Sequence, residues 1–111
     1  MNDLNQLLLT SQKALLLHIV PCLRSVSLSM LNREVKWKCI FDHDATEDDF
    51  ELLKQAATEV IAGFCGTDFI LTETYETVTF PEKMKMESHI VYHRHEHNYF
   101  NEKSITKRST E

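Results

Sequence analysis

The chain has 111 residues, 42% of them hydrophobic and 26% charged, with 17 acids against 12 bases and a formal net charge of −5. That length holds one compact domain, and a domain of this size buries about two-thirds of the surface its unfolded chain exposes, so it can fold on packing alone. The longest strongly apolar run, Ala14 to Leu17 and then Ile19 and Val20 after His18, falls short of the roughly 18–20 residues that a membrane span requires, which excludes a membrane protein.

From the N-terminus, Leu4, Leu7, Leu8, Leu15 and Ile19 follow one helical face, with Ser11 and Ala14 near the same stripe. The spacing predicts a helix over about residues 2–18, which Pro21 prevents from continuing. Residues 22–31 alternate, with Val26, Leu28 and Met30 against Ser25, Ser27 and Ser29, the pattern of a half-buried strand. Val35, Trp37, Cys39 and Phe41 alternate with Lys36 and Lys38 in the next segment, which makes Trp37 a core residue. Asn32-Arg33 between the two strands predicts a β-hairpin.

A polar loop, Asp42-His43-Asp44-Ala45, comes next. Thr46 suits a helix N-cap, and Glu47, Asp48 and Asp49 fall in the first turn, where the helix dipole favours negative charge. Phe50, Leu53, Ala57, Val60, Ile61 and Phe64 then repeat at helical spacing, with Gly63 and Gly66 where a C-terminal stop is expected. Residues 69–80, rich in Thr, Tyr, Val and Ile, predict a long strand ending at Pro81. Residues 83–87 read as a polar connection, 89–97 as a final strand, and 98–111 as a polar, mobile tail. The order α-β-β-α-β-β predicts an α+β fold, with two helices on one face of a four-stranded, mainly antiparallel sheet and residues 1–97 as the single domain.

Little of this sequence suits catalysis. There is no G-x-S-x-G elbow, and two glycines cannot build a phosphate-cradling loop, so neither an enzyme nor a cofactor is expected. Cys22, Cys39 and Cys65 are odd in number with no C-x-x-C pair, and read as small buried hydrophobes rather than a disulfide or zinc framework. Met1-Asn2-Asp3-Leu4 carries an acid where a secretory signal carries bases, which points to the cytoplasm. Alternation along the final strand would put His89, His93, His95 and His97 on one face, and three imidazoles so spaced could hold Zn²⁺. A solvated strand face is the simpler account of them, with a small metal-binding protein as the alternative.

The charge is concentrated. Between residues 42 and 76 there are ten acids and one base, Lys54. That disfavours nucleic acid as a direct partner, because phosphate binding needs clustered Lys and Arg, and it favours a basic protein. A solvent-facing helix start accounts for part of the excess, and the acidic stretch lacks the Gly and ligand pattern of a calcium loop. The excess continues past the first helical turn, which suggests a docking surface.

An ordered set of residues carries a family resemblance: Ile19-Val20-Pro21-Cys22-Leu23-Arg24-Ser25-Val26-Ser27, then Phe41-Asp42, then Ala45-Thr46-Glu47-Asp48-Asp49, then Ala56-Ala57-Thr58-Glu59-Val60-Ile61-Ala62, and finally Val91-Tyr92-His93-Arg94. Over about residues 10–96 this pattern resembles small bacterial immunity proteins paired with polymorphic or contact-dependent growth inhibition toxins. The resemblance implies a cytoplasmic, non-catalytic inhibitor that binds a cognate toxin domain, often a nuclease, and protects the producing cell. The final strand is richer in His than that pattern, and the residues after Asn98 lie beyond it. Toxin-contacting surfaces diverge among such proteins, so the contact candidates come from charge alone. A nuclease has a basic cleft that an acidic protein can occupy, and Asp42, Asp44, Glu47, Asp48, Glu51, Glu73 and Glu76 are the expected contacts, with Tyr75 as an anchor. An accessory or oligomer-forming domain is the remaining reading.

Overall fold

A computed structural model describes residues 3–64 and 69–96. Helix α1 spans Asp3–Leu15, strand β1 Leu23–Leu31, strand β2 Glu34–Phe41, helix α2 Glu47–Phe64, strand β3 Ile70–Thr77 and strand β4 His89–His93. Helix α1 stops about three residues earlier than its apolar stripe predicts. The Leu16 and His18 amides bond back only three residues, to the carbonyls of Lys13 (3.2 Å) and Leu15 (3.0 Å), tightening the last turn. The His18 ring then takes the Ala14 carbonyl, with Nδ1 at 2.6 Å, while its Nε2 lies 3.3 Å from the Glu59 carboxylate on α2.

The hairpin forms as expected. Leu31 pairs with Glu34 across the two-residue loop, and Asn32 adopts a φ of 58°, a left-handed conformation that Asn tolerates better than most side chains. Helix α2 opens with a capping box, in which the Thr46 amide donates to Asp49 Oδ2 at 2.9 Å and the Asp49 amide to Thr46 Oγ1 at 3.4 Å.

The four strands form one sheet in the order β3-β2-β1-β4. Strand β1 is antiparallel to both neighbours, and β2 and β3 run parallel. A parallel pair needs a crossover, and α2 supplies it. The fold is therefore α+β, with a mixed, mostly antiparallel sheet. Its core lies between the sheet and the two helices, where Val26, Leu28, Val35 and Trp37 meet Leu7, Leu53 and Val60, all fully buried.

The opposite face of β1 is also buried, which its alternation does not reveal. Ser25 and Ser27, expected on the open side of a half-buried strand, have no exposed surface. The segment 78–88 crosses over them. Ser25 Oγ donates to Met84 Sδ at 3.4 Å, the Glu87 amide donates to Ser27 Oγ at 2.9 Å, and Ser29 Oγ donates to the Glu87 carboxylate at 2.9 Å. What reads as a polar connection is a strap that covers the back of β1.

Two strands are shorter than predicted, for one shared reason. Strand β3 ends at Thr77 rather than Phe80, and β4 at His93 rather than 97. In both cases the chain leaves the sheet to supply hydrogen bonds to a buried group of charges described below. Cys22 and Cys39 are buried free thiols, as predicted, and burial pushes the Cys22 thiol up to about 12 and that of Cys39 up as well. The predictions for Cys65, Gly66, His97 and the 98–111 tail lie outside the described residues.

Candidate partner-binding surface

The acidic segment between β2 and α2 contains two kinds of carboxylate. Asp42, the first residue after β2, is 8% exposed and turned inward. Its Oδ2 accepts from Arg94 Nη2 at 2.8 Å, and its Oδ1 accepts from the amides of His43 (2.8 Å) and Phe80 (3.1 Å). Its own amide donates to the Cys22 carbonyl at 2.7 Å, and its carbonyl closes a turn with the Ala45 amide at 3.3 Å. Burial alone would raise its pKa, but Arg94 and the two amides outweigh that and hold the carboxyl well below the usual carboxylate range. Asp49 closes the other end of the segment. Its Oδ2 accepts from the Thr46 amide, from Thr46 Oγ1 at 3.1 Å and from Cys22 Sγ at 3.2 Å, and these bonds lower its pKa.

Between these two pins, Asp44, Glu47 and Asp48 are exposed. Among the described residues their side chains have no hydrogen bond or ion pair. Glu51, one turn further along α2, is exposed and lies 3.7 Å from Lys54. Lys54 in turn sits 5.8 Å from the centre of the Tyr75 ring, which packs edge-on against Phe50 at 6.5 Å. Register with β2 places Glu73 and Tyr75 on the helix side of the sheet, opposite Trp37 and Cys39, and the Tyr75 hydroxyl donates to Glu73. Burial and the Glu73 carboxylate push the tyrosine hydroxyl up. Glu76 has the opposite parity, faces the back of the sheet and pairs with Lys38 at 3.5 Å. The structure thus brings Glu51, Glu73 and Tyr75 together through Lys54, keeps Asp44, Glu47 and Asp48 on the adjoining loop and helix start, turns Asp42 inward and puts Glu76 on the other face.

Arg24, Arg94 and Glu96 are the residues missed by reasoning from charge. Arg24, fully buried on β1, grips Glu96 with two bonds, Nε to Oε2 at 2.7 Å and Nη2 to Oε1 at 2.9 Å, and sends Nη1 to the Val78 carbonyl at 2.7 Å. Arg94 stands between the two acids, 3.0 Å from Glu96 Oε2 and 2.8 Å from Asp42 Oδ2, and donates from Nη1 to the Pro21 carbonyl at 3.0 Å. Two cations and two anions form one neutral chain. Burial works against the Glu96 charge, but Arg24 and Arg94 lower its pKa, and Asp42 and Glu96 raise that of Arg94. In the sequence this shows as an Arg in a strand of Ser, Val and Leu, and as the presence of both Arg24 and Arg94 in the set of residues that carries the family resemblance.

Among the described residues, the histidine face predicted along β4 does not form. Strand β4 is displaced by one residue between its pairings, from Val26↔Tyr92 to Ser27↔Ile90, so Val91 is a bulge. His89 then lies opposite Leu28 on the helix side, whereas His93 lies opposite Ser25 on the back. One extra residue reverses the parity on which a shared metal site depends. His93 Nδ1 meets the Arg94 carbonyl at 2.7 Å, His95 is exposed beyond the strand, and His97 lies outside the described residues. Among the described residues, the three-residue group whose donor atoms all lie within 4.8 Å is Asp42, His43 and Asp44, and its Asp42 is already bonded by Arg94 and two amides.

No helix of the described residues is long and apolar enough to cross a membrane. Residues 4–96 match the family model of the MafI2 immunity protein. The chain belongs to the MafI2 immunity protein family. No curated protein matches it. The MafI2 match reaches all six elements, α1 from its second residue on, and ends at Glu96, the residue that closes the buried charge network. As a MafI2 immunity protein the chain is a binding protein and not an enzyme, and its partner is a cognate toxin, as the resemblance implies.

Proposed function

We propose that this MafI2 immunity protein neutralises a nuclease toxin in the cytoplasm by stoichiometric occlusion, and that the toxin belongs to a polymorphic, contact-dependent system. In this reading Asp44, Glu47, Asp48 and Glu51 meet the toxin's basic cleft, Glu73 extends the negative field along β3 and Tyr75 is the aromatic anchor, while Glu76, on the other face and paired with Lys38, stands outside the contact. Asp42 supports the surface from below. The observation that carries the reading is the division among the acids: Asp42 and Asp49 bind the fold together, whereas Asp44, Glu47 and Asp48 are exposed and unpaired among the described residues. Like charges held close on a fixed segment disfavour the free protein and favour a cationic partner. They also speed a diffusional encounter, while a desolvated aromatic ring lengthens the life of the complex.

Reversing Asp44, Glu47, Asp48 and Glu51 to Lys tests this by calorimetry and association kinetics with the cognate toxin domain. Association is expected to slow by about tenfold or more at low salt and to lose its salt dependence. Binding that is unchanged at low salt would remove this surface from the interface.

A further inference from the structure

We propose that Arg94 and Asp42 are positioning residues for toxin binding: their ion pair sets the shape in which the 42–49 segment presents Asp44, Glu47 and Asp48. The proposal rests on the reading of that segment as the toxin-facing surface. It starts from a redundancy in the buried charges. Glu96 is already matched by Nε and Nη2 of Arg24, so Arg94 is not required to neutralise it. Among the described residues Asp42 has no other Lys or Arg partner: its remaining donors are the amides of His43 and Phe80 and the exposed ring of its neighbour His43, 3.1 Å from Oδ1. The Arg94 side chain is also 24% exposed, at the rim of the network, whereas that of Arg24 is sealed within it. Arg24 therefore serves the interior, and Arg94 serves the loop.

The local bonds make Asp42 the point from which the loop is shaped. One carboxylate oxygen takes Arg94, and the other fixes the His43 amide and ties the segment to the strap through the Phe80 amide. The Asp42 carbonyl holds the Ala45 amide, so the turn carrying Asp44 hangs from this one residue. Arg94 is itself oriented on three sides, by Glu96, Asp42 and the Pro21 carbonyl. A segment held in its bound shape loses less conformational freedom on association, which raises affinity without adding a contact.

The test compares wild type with Arg94→Met, Arg94→Lys and Asp42→Asn, each as the full chain. Amide hydrogen exchange is read in the free protein, and affinity is read against the cognate toxin domain. Expected for Arg94→Met is exchange about tenfold or more faster at His43 and Ala45, with the central amides of β1 and β2 unchanged, and affinity lower by about tenfold or more. Arg94→Lys keeps the charge without the fork and is expected to recover part of both. Asp42→Asn, nearly isosteric, gives the same loop readout if Arg94→Met fails to fold. Unchanged exchange at His43 and Ala45, or an affinity loss no larger than the loss of folded protein, would overturn the positioning role. A parallel Glu47→Lys, Asp48→Lys chain separates the two ideas. If it binds as wild type, the acidic surface is wrong and this proposal falls with it; if it fails to bind while Arg94→Met binds normally, only the positioning role falls.

Discussion

On the helix side of the sheet, Val26, Leu28 and Trp37 meet Leu7, Leu53 and Val60 with no exposed surface, while on the other side the same strand turns Arg24, Ser25 and Ser27 against the 78–88 strap and is equally dry. The first face excludes water almost entirely with apolar surfaces that need only fit, the buried Trp37 Nε1, which has no hydrogen-bond partner, being its exception among the described residues. The second excludes it with groups that must each find a partner, because an unmet buried donor or charge costs more than its bond contributes when made. All three donor nitrogens of Arg24 are accordingly bonded, and both serine hydroxyls are engaged by the strap. The two faces should therefore respond differently when one residue, or a matched pair, is removed.

The largest difference is expected from Arg24→Met. It leaves the Glu96 carboxylate buried with half its partners, and breaking a buried pair from one side typically costs about 3–5 kcal/mol. Removing both charges, with Arg24→Met and Glu96→Met together, should recover most of that loss, since apolar groups of similar volume can replace a buried pair at little cost. Leu53→Ala on the helix face should cost about 2–5 kcal/mol, through lost burial and a cavity, with no second deletion that restores it. Urea unfolding of the three variants measures all of this. A double variant as unstable as Arg24→Met alone would mean that the back face is held by shape, like the front.

A graded effect follows from acid. Asp42 and Glu96 both have folded pKa values below their ordinary 3.8 and 4.5. A depressed carboxylate stabilises the folded state above its unfolded pKa and loses that contribution as pH falls through its folded one. Stability from these two groups is thus fully present from pH 7 down to about 5, and declines below about 4.5. Urea midpoints collected from pH 7 to pH 2 should show this decline in wild type, and a shallower one in Glu96→Gln. Equal slopes would place the acid sensitivity elsewhere in the molecule.

The same contrast explains what could be read from the sequence. Period-two apolar residues placed Val26, Leu28, Val35 and Trp37 in the core, and helical spacing with Thr46 at its head located α2. Strand order and the strap were not legible, because Ser25 and Ser27 look the same in sequence whether they face water or Met84 and Glu87. For the same reason Asp42 could not be told from Asp44: two acids, two positions apart, one pinned by an arginine 52 residues away and the other exposed. The bulge at Val91 escapes any argument from alternation, since it is the point at which alternation fails, and with it went the expected histidine face. Long-range polar pairing has no period, and so leaves no pattern in the chain.

The smallest effect expected is at the exposed end of the acidic segment, where polar pinning can be weighed without burial. Thr46 Oγ1 donates to Asp49 Oδ2 and accepts from the Asp49 amide, but the Thr46 backbone amide also reaches Asp49 Oδ2, at 2.9 Å. Thr46→Ala removes the hydroxyl and keeps that backbone bond, so the box is weakened and not abolished. A lost N-cap hydroxyl typically costs about 1 kcal/mol, and water can replace its bonds at this exposed site. The urea midpoint should therefore fall by several times less than in Arg24→Met. Asp49→Ala, which strips partners from the Thr46 amide, its hydroxyl and Cys22 Sγ together, should fall further than Thr46→Ala. If Thr46→Ala cost as much as Arg24→Met, exposure would not be what distinguishes the polar contacts of this fold, and the contrast between its sealed interior and its open acidic surface would lose its energetic basis.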